Sequence, residues 1–214
     1  MFGITDLTTY LIGTLAIILV PGPNSMYCLS VAAQHGPKTA YRAVAAILLG
    51  DSILMLATAL GAGAFLKAVP ELFHAVKLVG GLYLAYIGFN LLRAAVKKWR
   101  EGQPMAEEAV ETIAPTHVFK RALLLSLTNP KAILFLLSFF VQFVDPAYAH
   151  PMLTFFMLAL ILQVISLTYL SVLVFSGSRL AAAFRRQRKV SSISMGAVGS
   201  LFMGFAIKLW SAEI

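Results

Sequence analysis

The 214-residue chain is too apolar for a soluble domain. Hydrophobic residues make up 59% of it and charged residues 12%, with a mean hydropathy of +0.84, whereas soluble domains contain roughly 45–50% apolar and 25% charged residues. The net charge is +8, and most charged residues lie between the hydrophobic runs. This distribution is typical of the loops of membrane proteins rather than of a nucleic-acid-binding surface. These values predict an integral membrane protein and exclude nucleic acid as a partner.

Six hydrophobic runs predict an all-α membrane protein, because each is long enough to cross a bilayer at about 20 residues per span. The expected helices cover about 8–33, 41–66, 73–95, 119–144, 152–176 and 192–211. The polar stretch 97–118 contains four of the nine acidic residues and is predicted to be a cytoplasmic linker. The chain is therefore divided into a three-helix repeat at 1–96, the linker, and a second three-helix repeat at 119–214.

The basic residues predict the orientation of these helices. Thirteen of the 17 Lys and Arg residues lie in the loops after the first, third and fifth helices, and three lie on the opposite side. The positive-inside rule places the first group in the cytoplasm and both termini outside. Because each half has three spans, the second half enters the membrane in the opposite orientation, which predicts two inverted repeats.

Two of the predicted helices contain breaks. Helix one is interrupted by Pro21-Gly22-Pro23-Asn24 and helix four by Asn129-Pro130-Lys131. Proline has no backbone N–H, so each break frees helix carbonyls that need cover from protein or a wet cavity at membrane depth. A single proline in a helix would indicate only a kink that helps the helix pack. Paired breaks in two halves indicate a transporter's binding site instead, and we predict that both motifs bind substrate in one cavity.

The ends of the half-helices predict which ligand such a site suits. After the first break a helix begins near Asn24, where free N–H groups and a partial positive charge favour an anion, and before it a helix ends near Val20 with free carbonyls. These ends suit the carboxylate and the ammonium of an amino acid. At the second break, Asn129 is placed to cap a helix that Pro130 begins.

Two charges are predicted inside the spans. Asp51, directly after Gly50, is the one acid well inside a predicted helix, where a carboxylate costs at least about 2.5–3.5 kcal/mol on insertion scales. We expect Asp51 to bind the coupling proton or part of the substrate. The alternatives are a structural ion pair and a carboxyl that desolvation keeps neutral. Lys131 either pairs with Asp51 or snorkels to the membrane surface.

Three further polar residues lie in the predicted helices. Gln163 occurs in the second helix of its half, as Asp51 does, and is included among the substrate-binding candidates. The Tyr169 hydroxyl needs a partner, either in helix packing or in a polar cavity, and Tyr169 is also included. Tyr10 lies near a span end, and we expect it in an interfacial aromatic belt.

Small residues recur in the predicted third and sixth helices, among them Gly88 and Gly199. Because small residues let helix backbones approach closely, they predict either packing within the protomer or a homodimer interface. The single cysteine, Cys28, excludes an intramolecular disulfide and a thiol–disulfide electron carrier. The four histidines do not have the spacing of metal ligands, so we expect no metal and no cofactor. The expected coupling ion is the proton.

Several motifs together resemble the lysine exporter superfamily. They are the Pro-Gly-Pro-Asn motif after Val20, Gly50-Asp51, the run from Arg121 through Asn129-Pro130-Lys131, and Gln142-Phe143. Within that superfamily the chain is most similar to the homoserine/threonine exporter branch and its leucine efflux members. The resemblance implies a multi-pass protein of the bacterial inner membrane, with periplasmic termini, that exports neutral, leucine-like amino acids by proton antiport.

The resemblance also carries substrate or coupling roles onto both breaks and onto Asp51. Relatives often have an acid near the position of Gln163, which leaves Asp51 as the main proton candidate. An exporter of another small solute or of an inorganic cation on the same fold is the alternative. A cation site would use clustered acids, histidines or thiolates, whereas the predicted spans contain one deep acid and one cysteine. We therefore expect a transporter rather than an enzyme, with a small amino acid and membrane lipid as partners.

Overall fold

The computed structural model describes residues 2–20, 22–68, 114–145 and 147–186, with scattered positions between 82 and 97 and between 196 and 207. In these residues the prediction of a helical protein is confirmed, since helices dominate and no strand is formed. One antiparallel bridge, between Ile4 and Val144, ties the N-terminal segment to the end of the fourth predicted helix.

Helix α1 (Leu7–Leu19) ends at the first predicted break. Asp6 caps its N-terminus, where the carboxylate accepts hydrogen bonds from the Thr9 N–H at 2.9 Å and from the Thr9 hydroxyl at 2.6 Å. The backbone becomes extended at Val20 (φ −68°, ψ 118°), and helix α2 (Pro23–Ala68) begins with a proline. A proline suits the first helical position because the N–H it lacks has no helical partner there.

Helix α2 consists of two helical parts, 23–35 and 37–68, separated by Gly36. Gly36 has φ 76° and ψ 174°, a left-handed φ that glycine adopts without steric cost from a side chain. Cys28 from the first part and Val44 from the second lie in one buried cluster, so the two parts pack together. The second predicted helix thus begins at residue 37 rather than 41, because one glycine makes the turn that was predicted to need a longer loop.

The second predicted break separates helices α3 (Val118–Leu127) and α4 (Pro130–Ser138). A 3-10 turn at Pro115–His117 precedes α3, and another at Phe140–Phe143 follows α4. The Asn129 side chain accepts the Lys131 N–H at 3.1 Å and caps α4. Pro130 has no N–H to donate to the Ser126 carbonyl four residues earlier, and that carbonyl accepts the Asn129 N–H at 3.1 Å instead.

Helix α5 (Pro151–Arg186) continues beyond its predicted end at residue 176. Within the described residues, Pro23–Gly61 and Pro151–Ser176 are each long and apolar enough to cross a membrane. The pair Pro115–Leu127 and Pro130–Phe143, bent by 44°, is a third candidate span. Helix α1, at 13 residues, is too short to span alone. The protein is therefore a helical membrane protein.

The predicted third and sixth helices are described only in part. Every described residue in 73–95 and 192–211 is helical, and most of the linker at 97–118 lies outside the described residues. A Cβ built on Gly88 would meet the Gly199 carbonyl oxygen at 2.8 Å, and one built on Gly199 would meet that of Gly88 at 2.8 Å. These two glycines therefore serve packing within the protomer.

Tyr10 belongs to a buried aromatic cluster around α1, so its predicted interfacial position is wrong. Its side chain is fully buried, stacks on Phe139 with ring centroids 6.2 Å apart, and donates to the Leu158 carbonyl at 2.7 Å. The burial has a clear cause. Residues 3–5 form backbone hydrogen bonds with residues 143–145, and the rings of Phe139, Phe140 and Phe143 in the preceding segment pack around Tyr10.

Candidate functional site

A cavity of about 100 Å³ lies where the two helix breaks meet α2 and α5. A buried water needs roughly 10–15 Å³ of such space, so this cavity can hold several waters or a small organic ligand. Much of its lining is apolar, contributed among others by Ile17, Ile47, Met55, Phe135, Leu162 and Leu170.

Lys131 reaches across the cavity from the second break to the first. Its Nζ donates a 2.5 Å hydrogen bond to the carbonyl oxygen of Val20, the C-cap residue of α1. A cation is favourable there because the last carbonyls of a helix lack helical partners and carry partial negative charge. Gly22 leaves room for the lysine chain, since a Cβ at Gly22 would lie 3.3 Å from the Lys131 Cδ and 3.4 Å from its Nζ.

Asp51, in the second part of α2, is hydrogen-bonded to α3. Its Oδ1 accepts a 2.7 Å bond from the hydroxyl of the fully buried Ser126. The same hydroxyl lies 3.3 Å from the Ile47 carbonyl oxygen, so its one proton can serve either acceptor. Gly50 permits this contact, because a Cβ there would lie 2.7 Å from the Ser126 Oγ and 2.8 Å from its Cβ.

The first turn of α2 supplies further polar atoms to the cavity. Asn24 lines it, and its Oδ1 is buried with no hydrogen-bond partner in the part of the chain that the structure describes. Such an atom costs about 1–3 kcal/mol until a donor reaches it. The Ser25 hydroxyl accepts from the Gly22 N–H and donates to the Gly22 carbonyl, both at 2.9 Å. Tyr169 of α5 lines the cavity with its hydroxyl beside Ser25.

Asp51 and Lys131 line the same cavity with different hydrogen-bond partners. Asp51 is bound to Ser126 and Lys131 to Val20, while the two charges interact electrostatically. Lys131 thus adopts neither predicted arrangement, because the end of α1 accepts its hydrogen bond inside the protein. One anion, one cation, an unpaired acceptor and apolar walls together can hold a small zwitterion. Among the described residues, no three His, Cys, Asp or Glu side chains form a group that could hold a metal.

Most of the predicted site residues line this one cavity, namely Gly22, Asn24, Asp51, Asn129, Lys131 and Tyr169. Pro23 and Pro130 are exposed and begin α2 and α4, so they set where these helices start and do not line the cavity. Gln163 hydrogen-bonds to α2 outside the lining, donating to the Leu48 carbonyl at 2.8 Å and to the Ser52 Oγ at 2.6 Å. Pro21 lies outside the described residues.

Three buried serines at the site were not predicted, Ser25 of α2 among them. Ser126 bonds to Asp51, and Ser166 of α5 lines the cavity. Isolated serines in apolar helices are too common to single out by composition. One signal was available for Ser126, since Gly50 next to Asp51 indicates that another helix approaches closely at that point.

Broken helices that meet at a polar cavity inside apolar spans are the arrangement of secondary transporters. The sequence comparison places the chain within that class. The profile of the LysE type translocator family matches residues 15–213. The chain belongs to the LysE type translocator family, as the resemblance to the lysine exporters predicted.

Similar proteins match over almost their entire length. An uncharacterized membrane protein of Pseudomonas aeruginosa is 50% identical over 212 residues, which cover 99% of this chain and 98% of that protein. A leucine efflux protein of Klebsiella pneumoniae is 41% identical over 208 residues, and one of Salmonella typhimurium is 40% identical over 209. Each of these two matches covers 97% of this chain and 96% of the relative. No solved structure matches the chain.

Proposed function

We propose that this protein exports neutral amino acids, leucine-like ones above others, across the bacterial inner membrane in exchange for protons. The main supporting observation is one cavity that combines Asp51, Lys131 and apolar walls with the Asn24 Oδ1, which has no hydrogen-bond partner among the described residues. The leucine efflux proteins among the similar sequences support the same substrate class.

The charges of the cavity favour a substrate without a charged side chain. The ammonium of a free amino acid finds carbonyl acceptors at a helix C-terminus, and its carboxylate finds free N–H groups at a helix N-terminus. The side chain then lies against residues such as Ile17, Phe135 and Leu162. A lysine or glutamate side chain would bring a charge against this wall without a counter-charge, at a cost of several kcal/mol.

Asp51 is the proposed proton site. It is the acidic residue among the cavity-lining residues that the structure describes. The Ser126 hydroxyl can donate to the ionised carboxylate, at 2.7 Å, or to the Ile47 carbonyl, at 3.3 Å. Both protonation states of Asp51 therefore leave Ser126 with an acceptor, which suits a carboxyl that gains and loses a proton in each cycle.

The proposal includes the topology expected from the sequence. Six spans form two inverted three-helix repeats, 1–96 and 119–214, joined by the cytoplasmic linker, and both termini are periplasmic. The starts of α2 and α4 support it, since each repeat has a proline-led helix directly after its break. The asymmetric distribution of Lys and Arg supports the orientation.

Transport by the purified protein in lipid vesicles tests the function. Vesicles are loaded with labelled leucine, isoleucine, threonine or lysine, and efflux is measured with and without an imposed pH gradient. We expect leucine efflux at least about tenfold faster than lysine efflux, and slower efflux after a protonophore collapses the gradient. Protein-containing vesicles that release no amino acid faster than empty ones would refute the proposal.

The role of Asp51 is tested by Asp51→Asn. We expect this variant to lose gradient-driven leucine efflux while it retains leucine–leucine exchange, because exchange needs no net proton movement. Asp145→Asn is the matched control, since Asp145 lies outside the cavity lining and asparagine can still accept the Ala147 N–H at 2.9 Å. Gradient-driven efflux by Asp51→Asn at the wild-type rate would exclude Asp51 as the proton site.

A further inference from the structure

Lys131 carries the same chemical group as the amino end of a substrate. Its Nζ is a primary ammonium with three donors, and it lies inside the cavity rather than at the protein surface. The acceptor it uses is the Val20 carbonyl, at 2.5 Å, on the opposite break. A free amino acid that entered the cavity would present an equivalent ammonium to the same partially negative helix end.

Asn24 provides a second acceptor at the same break. Its Oδ1 is buried and lacks a hydrogen-bond donor among the described residues. Buried acceptors are nearly always satisfied in folded proteins, and an exception needs an explanation such as a ligand. Gly22 lies between Val20 and Asn24 in the chain, and its missing side chain keeps the space open that Lys131 uses.

We propose that the Val20 carbonyl oxygen and the Asn24 Oδ1 form the subsite for the substrate's primary ammonium, and that Lys131 occupies this subsite when the cavity is empty. The inference rests on the proposed export of amino acids. According to this inference, Lys131 competes with the substrate ammonium for the subsite and is displaced by it. Lys131 is then not a direct ligand of the substrate carboxylate.

Displacement links the two charges of the cavity. The titratable residues that line it are Asp51 from α2, Lys131 from α4 and Tyr169 from α5, whereas α1 contributes Ile17 and Ile18. When a substrate ammonium replaces the Lys131 ammonium at Val20, Asp51 is the acidic residue of the cavity lining to which Lys131 can turn. Their attraction favours the ionised carboxylate, so the arrival of a zwitterion promotes departure of one proton from Asp51.

Binding measurements with Lys131→Met test the displacement. The probes are L-leucine, 3-methylbutylamine, which lacks the carboxylate, and 4-methylpentanoate, which lacks the ammonium. We expect the variant to bind leucine and the amine about tenfold more tightly than wild type, with the acid unchanged, because their competitor is gone. Lys38→Met, at an exposed position in α2 outside the cavity lining, is the control and should match wild type.

Weaker binding of leucine by Lys131→Met, in protein that remains monodisperse, would show that Lys131 holds the carboxylate and would overturn the inference while leaving the export function intact. Asn24→Leu provides a second route if the lysine variant does not fold. We expect Asn24→Leu to bind the amine at least tenfold more weakly and the acid as before, and unchanged amine affinity overturns the subsite. Wild-type protein that binds no amino acid at all refutes the proposed function as well.

Discussion

The two helix breaks have similar backbones and opposite chemistry. In each, the backbone becomes extended shortly before a proline-led helix, at Val20 ahead of Pro23 and at Asn129 directly before Pro130. The first break supplies acceptors, the Val20 carbonyl that Lys131 reaches and the cavity-lining Asn24 Oδ1, while the second supplies the Lys131 ammonium. In the proposed binding site, acceptors of one break therefore face a donor of the other.

The two breaks also differ in what holds them in shape. At the first, the Ser25 hydroxyl bonds to both the N–H and the carbonyl of Gly22. At the second, the Asn129 side chain caps the helix directly. The first break keeps its helix-end carbonyl available to a side chain from elsewhere, and the second satisfies its own groups locally.

The strongest disruption of this arrangement is expected from Gly50→Ala. The added methyl would lie 2.7–2.8 Å from Ser126, so α3, which leads into the second break, must move away from α2. Overpacking of this kind costs about 1–3 kcal/mol, and we expect lower thermal stability in detergent together with near-complete loss of leucine efflux. Gly61→Ala is the control, because a methyl there meets nothing within 4 Å. Equal stability of the two variants would contradict the contact.

Ser126→Ala removes the donor to Asp51 without adding bulk. A hydrogen bond to a charged group contributes about 1.5–3 kcal/mol, and about 1.4 kcal/mol corresponds to a factor of ten. We therefore expect gradient-driven efflux to fall roughly ten- to hundredfold, measured as initial rates in vesicles. Ser176→Ala is the control, since Ser176 bonds only to the Val172 carbonyl of its own helix in the described residues. Loss of efflux in both variants would mean that the effect is not specific to Asp51.

Gly22→Val tests the path of Lys131 at the first break. Its Cβ alone would lie 3.3–3.4 Å from the lysine chain, and its two methyl groups add further bulk, so we expect the ammonium to reach the Val20 carbonyl only after rearrangement. We expect about a tenfold lower efflux rate with a smaller change in stability than Gly50→Ala causes, since the end of a lysine chain yields more readily than the short side chain of the buried Ser126. Gly22→Ala should fall between Gly22→Val and wild type, and an unaffected Gly22→Val would place Lys131 elsewhere during transport.

Asn129→Ala should have the smallest effect and act on stability. Loss of an N-cap costs about 1 kcal/mol, which should appear as a modest fall in the thermal unfolding midpoint. Asn129→Asp should restore most of it, because aspartate also accepts the Lys131 N–H. A large loss of leucine binding in Asn129→Ala with unchanged stability would instead show that this side chain contacts the substrate.

Much of this protein follows from its sequence. Its apolar composition predicts a helical membrane protein, and the prolines predict where α1 ends and where α2 and α4 begin. These features depend on backbone chemistry and solvent transfer, which are properties of each residue. The family and most of the cavity-lining polar residues were predicted for the same reason, since rare residue types in apolar helices are visible without a structure.

Only the tertiary structure determined which side chains are hydrogen-bond and packing partners. Lys131 bonds to Val20, Asp51 bonds to Ser126, and Tyr10 is buried against Phe139. Each pair joins residues far apart in the chain, and in a chain rich in interchangeable apolar residues no local pattern specifies which helices approach. Close contacts at Gly22 and Gly50 fix the distances between these helices. A change of about one ångström in such a distance is enough to break a hydrogen bond.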